Sequence, residues 1–531
     1  MSRRWMHLLI IVTLTSLVVT ACAGGGTTSQ PPAGTTSSAA ASAAEPTEEP
    51  SGAEPSGAEP SGAEPSGAEP SGAEPSGAEP SGAEPSGAEP SGAEPSGAEP
   101  SGAEPSDAVP PADISGTLEI LGKYADADEI ATTRYDIFTG MYGALEVVFT
   151  EADFQAPAFL AAVQAGTPPD VVRMSRELIG TYAANGALEP IESCITDRQI
   201  DMSQYREAAV TAATFNGQVY GIPEFYDSRI VYINDSVLED AGVTADQLDT
   251  SDWDGLAALN QQLLVTDGSD ITRIGFDPRL PETLPLWAAA NGASLLSEDG
   301  LTSNLDDPLV AEALDFTASL VLAHGDPATF TDFRTTGPGG VDFFGGENQF
   351  VVDTLASMPL EQWYMNVLAD ASPDEAVSFA PFMDRQGNPL TLAAGAAWVI
   401  PAAADNKAAA CEFMRVITTP DAWFAASQAR ADIRAEAGEL YTGTYTANSV
   451  ADERIFSELV TEETAGQYYE GVQVALDGLD SAVNIPTTAA GEEFTMIWQQ
   501  AVQSVLQGTP AADALAQADA DAQEAIDDAQ P

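Results

Sequence analysis

Residues 145–174 read LEVVFTEADFQAPAFLAAVQAGTPPDVVRM, which is two short apolar runs with an amphipathic segment between them. Leu145–Phe149 and Asp170–Met174 have the length and apolar character of buried strands. Between them, Phe154–Ala165 carries apolar side chains at helical spacing, and Gly166 ends the segment. This order predicts a strand–helix–strand unit whose two strands lie parallel in one sheet.

The same alternation continues on both sides of this unit. Thr117–Leu121 is typical of a short strand, and Glu177–Asn185 is typical of a helix that Gly186 stops. The rhythm predicts an α/β fold with a parallel sheet, in which ligands bind beyond the carboxyl ends of the strands. Those ends carry the polar side chains Tyr124, Glu151, Asp153, Ser175 and Glu177.

The N-terminus has the features of an export signal. Arg3 and Arg4 precede the apolar run Leu8–Val19, which is shorter than the roughly 20 residues that span a bilayer. Cys22 follows small residues, and this junction resembles a bacterial lipobox. The resemblance implies removal of residues 1–21, diacylation of Cys22 and a lipid-anchored location on the extracytoplasmic face of the cell membrane. A plain signal peptide with an incidental cysteine is the alternative.

Residues 22–112 contain almost no large apolar side chain. From Ser51 to Pro105 the sequence Ser-Gly-Ala-Glu-Pro repeats 11 times without interruption. No copy has an apolar face to bury, so the segment cannot offset the entropy of ordering and is predicted to be a disordered tether. Its proline and evenly spaced glutamate favour extended conformations. We interpret it as a spacer that carries a folded domain away from the membrane, with an expanded repeat of no selected length as the alternative.

Residues 113–531 are rich in aromatic and branched apolar side chains and are long enough for two lobes. The full chain carries 18 basic and 82 acidic residues, a formal net charge of −64. We expect no nucleic-acid partner, because phosphate binding needs a basic surface. An acidic surface is typical of solubility and salt tolerance, and attraction of a cationic ligand is the alternative.

Cysteine and histidine are sparse. Beyond Cys22, the mature chain has only Cys194 and Cys411, and its one histidine is His324. Two isolated cysteines cannot supply a spaced zinc set, so we expect no metal and no cofactor. The compartment permits a Cys194–Cys411 disulfide, but two cysteines do not make a framework. Cys411 lies on an amphipathic segment and is expected to act as a small buried apolar residue.

The dipeptide Asn216-Gly217 is typical of a tight hairpin turn. It opens a series of short blocks that resembles the maltose-binding-like, family 1 extracellular solute-binding proteins of ABC sugar importers. The blocks follow the order of that family: 216–223 (NGQVYGIP), 230–235 (IVYIND), 238–243 (LEDAGV), 251–256 (SDWDGL), 394–401 (AGAAWVIP), 406–413 (NKAAACEF) and 506–509 (LQGT). Residues 165–172 (AGTPPDVV) resemble the same family. Each block is short, and the ordered set over about 115–531 carries the resemblance.

The resemblance implies an α/β, two-lobe periplasmic-binding-protein-like fold of the type II kind, with a multi-crossing hinge and the ligand between the lobes. The implied ranges are about 113–224 and 392–440 for lobe 1, and about 230–385 and 445–531 for lobe 2. The hinge crossings are expected near Phe225–Arg229, Asp384–Thr391 and Tyr441–Val450. Closure would bury the ligand, and a membrane permease would recognise the closed form.

A sugar site needs aromatic platforms for ring faces and carboxylates or amides for hydroxyl groups. Such residues fall where the family places its cleft: Glu177, Phe225, Tyr226, Asp227, Trp287, Asn291, Trp363, Tyr364 and Trp398. Large aromatic residues lie more often in the core than in a binding site. A core position is therefore the alternative for Trp287, Trp363, Tyr364 and Trp398. A solvated carboxylate at a helix start is the alternative for Glu177. Trp253, Trp423 and Trp498 are expected in the core, because they start helices or lie on apolar helical stripes.

We therefore expect a monomeric receptor that binds a sugar or oligosaccharide and delivers it to the permease subunits of an ABC transporter. A cationic, polyamine-like solute is the alternative that the acidic composition keeps open. No nucleophile elbow, zinc-protease motif or phosphate-binding loop occurs, so no enzymatic activity is expected. A glycan-active enzyme with two cleft carboxylates and a passive surface protein are the remaining alternatives.

Overall fold

A computed structural model describes residues 113–122, 128–335 and 342–530. The predicted signal peptide, Cys22, the repeats and Tyr124 lie outside the described residues. The strands, in chain order, are β1 (Gly116–Gly122), β2 (Leu145–Glu151), β3 (Val171–Ser175), β4 (Thr214–Phe215), β5 (Gln218–Val219), β6 (Gly221–Pro223), β7 (Arg229–Asn234), β8 (Val265–Asp267), β9 (Asp270–Phe276), β10 (Leu355–Glu361), β11 (Val377–Ala380), β12 (Thr391–Leu392), β13 (Ala396–Val399) and β14 (Ala482–Val483).

The α-helices of the described part cover both faces of the sheets. They are α1 (Glu129–Met141), α2 (Ala156–Ala165), α3 (Ile179–Ala184), α4 (Glu192–Asp197), α5 (Glu207–Ala212), α6 (Asp235–Ala241), α7 (Trp253–Leu263), α8 (Leu284–Ala290), α9 (Pro308–Leu322), α10 (Pro327–Thr335), α11 (Tyr364–Ala371), α12 (Lys407–Ile417), α13 (Pro420–Ala437), α14 (Ser449–Glu458), α15 (Glu462–Ala465), α16 (Tyr469–Gly478), α17 (Gly491–Leu506) and α18 (Ala511–Ala529). A short 3₁₀ turn, Arg176–Leu178, joins β3 to α3.

The sheet of lobe 1 has the strand order β2-β1-β3-β13-β6. β1 lies parallel to β2 and β3, with Leu118 opposite Val147 and Ile120 opposite Val171. α2 forms the crossover between β2 and β3, and Gly166 ends it in the left-handed conformation that glycine adopts without strain. The strand–helix–strand unit predicted from residues 145–174 is therefore confirmed.

The expected parallel sheet becomes mixed where β13 lies between β3 and β6. β13 runs antiparallel to both β3 and β6. The reason is that β6 leaves lobe 1 at its carboxyl end, while β13 enters the lobe from the same side at its amino end. The carboxyl ends of β3 and β6 consequently face the segments that connect the lobes.

The sheet of lobe 2 has the strand order β11-β7-β10-β9-β8 and is mixed. β7 is antiparallel to β10 and β11, whereas β10 is parallel to β9. β7 and β10 are buried along almost their whole length because helices cover both faces. Asn234 ends β7 and caps α6, accepting a hydrogen bond from the Val237 amide at 3.1 Å. The expected α/β fold with two sheet-containing lobes is confirmed.

Three segments, 224–228, 391–396 and 444–448, run side by side between the lobes. Phe225 pairs with Thr446, and Asp227 pairs with Ala394, in antiparallel bridges. The Asp227 amide donates to the Ala394 carbonyl at 3.0 Å, and the reverse bond is 2.9 Å long. The second crossing lies later than the predicted Asp384–Thr391, because Asp384 closes a turn onto Asn388 at the end of lobe 2.

A disulfide joins Cys194 of α4 to Cys411 of α12, with 5.7 Å between the Cα atoms. Cys411 is buried on α12 as expected, and the disulfide that the sequence left open is formed. The two residues lie 217 positions apart in the chain, and only the packing of α12 beside α4 in lobe 1 brings them together. The bridge ties an early and a late segment of the same lobe.

Candidate functional site

A cavity of about 890 Å³ lies between the lobes and beside the three crossing segments. Its lobe 1 wall is the end of β3 and the following turn, from which Ser175 and Glu177 line the cavity. The crossing segments contribute Phe225 and Asp227, and lobe 2 contributes Trp363 at the start of α11. The site therefore lies beyond the carboxyl end of β3, as expected for an α/β sheet. Glu151 and Asp153 do not line it.

Arg176 connects the cavity wall to the hinge. Its side chain is buried, and the Nη1 group donates to the carbonyl oxygens of Phe225 at 2.7 Å and Ala396 at 3.2 Å. The Nη2 group donates to the Ala394 carbonyl. Burial lowers the pKa of Arg176 to about 10, with Asp227 opposing the shift, so the guanidinium stays charged at neutral pH. One cation thus holds two crossing segments against lobe 1.

Two carboxylates face the cavity without a hydrogen-bond partner for their side chains among the described residues. Desolvation raises the pKa of Asp227, and the positive charge of Arg176 opposes that shift. Desolvation also raises the pKa of Glu177, against the effects of Arg229 and Arg176. Both carboxylates line the cavity and have acceptor oxygens available for a ligand hydroxyl or ammonium group.

The lobe 2 side of the cavity carries an aromatic pair. The rings of Trp363 and Phe344 are nearly parallel, at 9° with centroids 6.3 Å apart. Trp363 is half-buried, whereas Phe344 is 69% exposed, an unusual exposure for a large apolar side chain. A flat apolar surface open to the cavity is the feature that a sugar ring face requires.

Phe225 and Tyr226 have different environments although they are neighbours in the chain. Phe225 lines the cavity, but its ring packs edge-on against Trp423, with centroids 5.1 Å apart, and lies 5.5 Å from the Arg173 guanidinium carbon. Tyr226 is 1% exposed and does not line the cavity. The guanidinium carbons of Arg176 and Arg206 lie 5.7 Å and 5.4 Å from the centroid of its ring. Alternation along the crossing segment explains why 225 and 227 face the ligand side while 226 does not.

The structure does not bring Trp287 or Asn291 to the cavity. Trp287 is fully buried in lobe 2, where its indole packs edge-on against Phe382 and its Nε1 group donates to the Pro278 carbonyl at 3.2 Å. Asn291 follows α8 and donates to the Leu309 carbonyl at 2.9 Å. Both side chains hold lobe 2 together, so they are left out of the proposed site.

Tyr364 and Trp398 are also placed in the core. Tyr364 is fully buried, and its hydroxyl donates to the Phe343 carbonyl at 2.7 Å. Trp398 is fully buried in lobe 1 and packs edge-on against Phe413. Neither residue lines the cavity. The helical period turns Tyr364 inward while its neighbour Trp363 lines the cavity, and Trp398 lies on β13, which is buried along its whole length.

Among the uncharged cavity residues that the sequence did not predict, three have a buried polar atom without a partner among the described residues. They are Trp498 with its Nε1 donor, Tyr445 with its hydroxyl, and Asn484 with its Oδ1 acceptor. Unsatisfied buried polar atoms are costly, so their concentration here favours a ligand that supplies both donors and acceptors. Trp498 lies on the apolar stripe of α17, which predicts only core, and no local pattern marks Tyr445 or Asn484.

The charges that line the cavity balance, in contrast to the whole chain. Four arginines and four acidic residues line it: Arg173, Arg176, Arg229 and Arg430 with Glu177, Asp227, Glu282 and Asp370. Arg229 pairs with Glu361 at 3.1 Å, and Arg173 and Arg430 pair with Glu224, Asp128 and Glu129. Three of the four lining arginines are thus paired with carboxylates outside the lining, whereas Glu177 and Asp227 have no such pairing among the described residues.

The described residues contain no cluster of three or more histidine, cysteine or acidic side chains arranged to hold a metal ion. Across 113–122, 128–335 and 342–530, no helix is both long and apolar enough to cross a membrane. His324, which lies outside the cavity, is buried and bonds to Asn260 at 2.8 Å.

Among characterised proteins, the chain is similar to sugar-binding proteins. An arabinooligosaccharide-binding protein of Halalkalibacterium halodurans is 26% identical over 176 residues, 33% of this chain and 37% of that protein. A maltooligosaccharide ABC transporter solute-binding lipoprotein of Streptococcus pneumoniae is 25% identical over 255 residues, 47% of this chain and 56% of that protein. The alignments thus span about a third to a half of the length of these relatives.

Solved structures share the fold. CpMnBP1 with mannotriose bound superposes with a TM-score of 0.62 at 20% identity, over 76% of this chain and 99% of that one. Maltose-bound MalE3 of T. maritima superposes with a TM-score of 0.57 at 17% identity, over 77% of this chain and 100% of that one. Residues 133–446 match the sequence profile of the bacterial extracellular solute-binding proteins, which are binding proteins by description. Since that match covers more than half of the chain, this protein belongs to the bacterial extracellular solute-binding protein family.

Proposed function

We propose that this protein is a lipid-anchored receptor that captures a sugar or oligosaccharide between its lobes and delivers it to the permease of an ABC transporter. Family membership and the sugar-binding names of the relatives support the proposal. The observation that carries it is the interlobe cavity, which combines an open aromatic surface with unpartnered donors and acceptors. Carbohydrates present apolar ring faces and hydroxyl edges, so both features have a counterpart on the ligand.

In the proposed site, Trp363 with Phe344 forms the platform for a sugar ring. Asp227 and Glu177 accept hydrogen bonds from ligand hydroxyls. Trp498 donates through Nε1, and the Tyr445 hydroxyl serves as donor or acceptor. Desolvation disfavours the ionised form of Glu177 and Asp227. Hydrogen bonds donated by ligand hydroxyl groups would replace the water that these carboxylates have lost.

The sugar-binding names of the relatives, together with the open aromatic surface, favour a sugar over a cationic solute. The acidic residues of the whole chain lie mostly outside the cavity, on a surface suited to solubility. A cationic ligand therefore remains only as an outcome of the binding test.

The predicted anchor and tether complete the proposal. Diacylated Cys22 would hold the chain at the extracytoplasmic face, and residues 22–112 would let the domain of residues 113–531 move above its permease. We infer that the protein acts by binding and release, without catalysis, as a monomer and without a cofactor. The lobe boundaries predicted from the sequence are part of the same proposal.

Isothermal titration calorimetry of the purified Cys22→Ser variant tests the proposed ligand class. The panel contains mono- and oligosaccharides, with diamines and polyamines for comparison. Saturable binding of one sugar series at one ligand per chain supports the proposal. If the protein binds only amines, the ligand is a cationic solute and not a sugar. If it binds neither sugars nor amines, the carbohydrate assignment is overturned.

A further inference from the structure

A segment that we call the strap, residues 484–490, belongs to both lobes. It follows α16, which packs on β7 and β11 of the lobe 2 sheet, and it leads into α17, which packs on α9 and α18. Between these helices, Asn484 Nδ2 donates to the Ala208 carbonyl of lobe 1 at 2.7 Å. Ala489 is 2% exposed and lies in the apolar core of lobe 1 with Ile179. The next residue, Ala490, lies in the main apolar core of lobe 2.

A glycine from each lobe lets the strap pass between them. A Cβ atom at Gly180 of α3 would overlap the carbonyl oxygen of Thr488. A Cβ atom at Gly300, in the loop after α8, would overlap the carbonyl oxygen of Thr487. Backbone therefore meets backbone on both sides, and the strap leaves no space for a side chain at either glycine. This fit fixes how far apart the two lobes lie at this point.

The strap continues directly into contacts with the ligand-side turn of lobe 1. At Gly491, the first residue of α17, a Cβ atom would lie 2.8 Å from the carbonyl oxygen of Glu177. The hydroxyl of Tyr182 donates to the Glu492 carboxylate at 3.3 Å. Two turns further along α17, Trp498 and Gln499 line the cavity. The start of α17 is thus held against the turn that carries one proposed ligand carboxylate.

We propose that the strap is the positioning element of the cavity, which sets the spacing between Glu177 on lobe 1 and Trp498 on lobe 2. This inference rests on the proposed carbohydrate function for its ligand readout and on the interlobe contacts for its physical basis. Because Asn484 and Ala489 of the strap contact lobe 1 while both adjoining helices pack on lobe 2, a change at its glycine contacts displaces one lobe relative to the other. Misplacing cavity groups by an ångström weakens the binding of a rigid ligand strongly.

Gly180→Ala tests the proposal, with Gly140→Ala as the matched control. Both glycines lie in helices, but a Cβ atom at Gly140 on α1 meets nothing within 4 Å. If the Gly180→Ala variant keeps the correct lobe spacing only about a tenth of the time, its Kd for the sugar rises about tenfold. The control is expected to keep the wild-type Kd. Calorimetry with the sugar that the wild-type protein binds gives both values.

Small-angle X-ray scattering without ligand provides a readout that does not depend on the ligand class. The radius of gyration is expected to increase in Gly180→Ala and to stay unchanged in Gly140→Ala. Tyr182→Phe, which removes only the hydroxyl bonded to Glu492, is expected to raise the Kd by a smaller factor and covers the case that Gly180→Ala fails to fold. If Gly180→Ala and Tyr182→Phe both keep the wild-type Kd and the wild-type radius of gyration, the proposed role of the strap is overturned. If the wild-type protein binds no sugar, the proposed function fails. The scattering comparison of Gly180→Ala with Gly140→Ala then tests by itself whether the strap positions the lobes.

Discussion

The Trp363 side chain is half-buried against lobe 2 and stays open to the cavity beside Phe344. Replacing it in Trp363→Ala removes the proposed platform while leaving the surrounding core residues in place. We expect a loss of about 1–3 kcal/mol in the free energy of sugar binding, with little change in the free energy of unfolding. Calorimetric titration measures the first quantity and thermal unfolding the second.

Trp287 offers the matched control for that substitution. It is fully buried in lobe 2 and does not line the cavity. Trp287→Phe is expected to lower the free energy of unfolding by about 1–3 kcal/mol, because it leaves a gap beside Phe382 and removes the Nε1 bond to Pro278. Unchanged sugar affinity in Trp363→Ala, or lost affinity in a folded Trp287→Phe protein, contradicts the assignment of these two residues.

His324 is a pH-sensitive residue of the lobe 2 core. Its Nε2 group donates to Asn260 Oδ1, which also accepts from the Phe276 amide, and its ring stacks on Phe330. Burial lowers the pKa of His324 to about 4. The unfolded chain binds this proton near pH 6.5 and the folded chain only near 4, so stability is lost as the pH falls between these values.

By pH 5 this single linkage costs on the order of 2 kcal/mol of the free energy of unfolding. His324→Gln keeps a donor to Asn260 but cannot titrate, so its stability is expected to fall less between pH 7 and pH 5. Urea unfolding of both proteins at the two pH values measures the difference. Equal losses in the two proteins exclude His324 as the source.

At the scale of elements, the crossing segments owe their arrangement to contacts made by backbone and by a few buried side chains. Gln362, after β10, accepts from the Ser228 amide at 2.6 Å and donates to the Tyr226 carbonyl at 2.9 Å. Arg176 performs the corresponding role from lobe 1. Each lobe therefore holds backbone carbonyls of the first crossing through a polar side chain, and Phe225 and Asp227 of that crossing line the cavity.

The disulfide between α4 and α12 is the one covalent tie within lobe 1 among the described residues. Replacing both cysteines in Cys194→Ser/Cys411→Ser removes a closed loop of more than 200 residues from the unfolded chain, and the expected loss is about 2–5 kcal/mol. Thermal unfolding with and without reductant measures it. Reductant should lower the Tm of the wild-type protein and leave that of the double variant unchanged; equal sensitivity would mean that the bridge adds no stability.

At the scale of the whole molecule, the charges are distributed unevenly between surface and cavity. The chain has 18 basic residues, and four of them line the cavity. Most of the acidic residues remain for the surface, where they keep the protein soluble and disfavour contact with anionic lipid headgroups. Such a domain needs a covalent anchor to remain at a membrane, which is the role proposed for Cys22.

Cys22→Ser tests that anchor in cells of a bacterium that processes lipoproteins. Without a thiol at this position no diacyl group can be attached, and residues 1–21 are expected to stay on the protein. The wild-type protein is expected in the membrane fraction, with the mass of a diacylated N-terminus that begins at Cys22. Cys194→Ser serves as the control for loss of a cysteine and should keep that mass. A wild-type protein without the diacyl mass, by intact-protein mass spectrometry, contradicts the lipid anchor.

Part of the proposed site can be predicted from local sequence signals. This works where a residue's place at a strand end or in a crossing segment indicates that its side chain faces the ligand. The end of β3 predicts Glu177 at the ligand side, and the first crossing predicts Phe225, Tyr226 and Asp227 there, of which Tyr226 does not line the cavity. The same signals could not separate Trp363 from Tyr364, its buried neighbour. Neighbouring aromatic residues have equal apolar character, and only the packing of α11 on lobe 2 decides which of the two is exposed.

Local patterns were enough to predict the strand–helix–strand unit of residues 145–174, the Asn216-Gly217 hairpin and the family. These depend on periodicity, turn residues and short motifs, which act within a few residues of each other. The Cys194–Cys411 pairing, the antiparallel entry of β13, the placement of Trp498 in the cavity and the course of the strap are visible only in the folded chain. Each of these depends on contacts between segments distant in the chain, and such contacts are set by the packing of two lobes around three crossings.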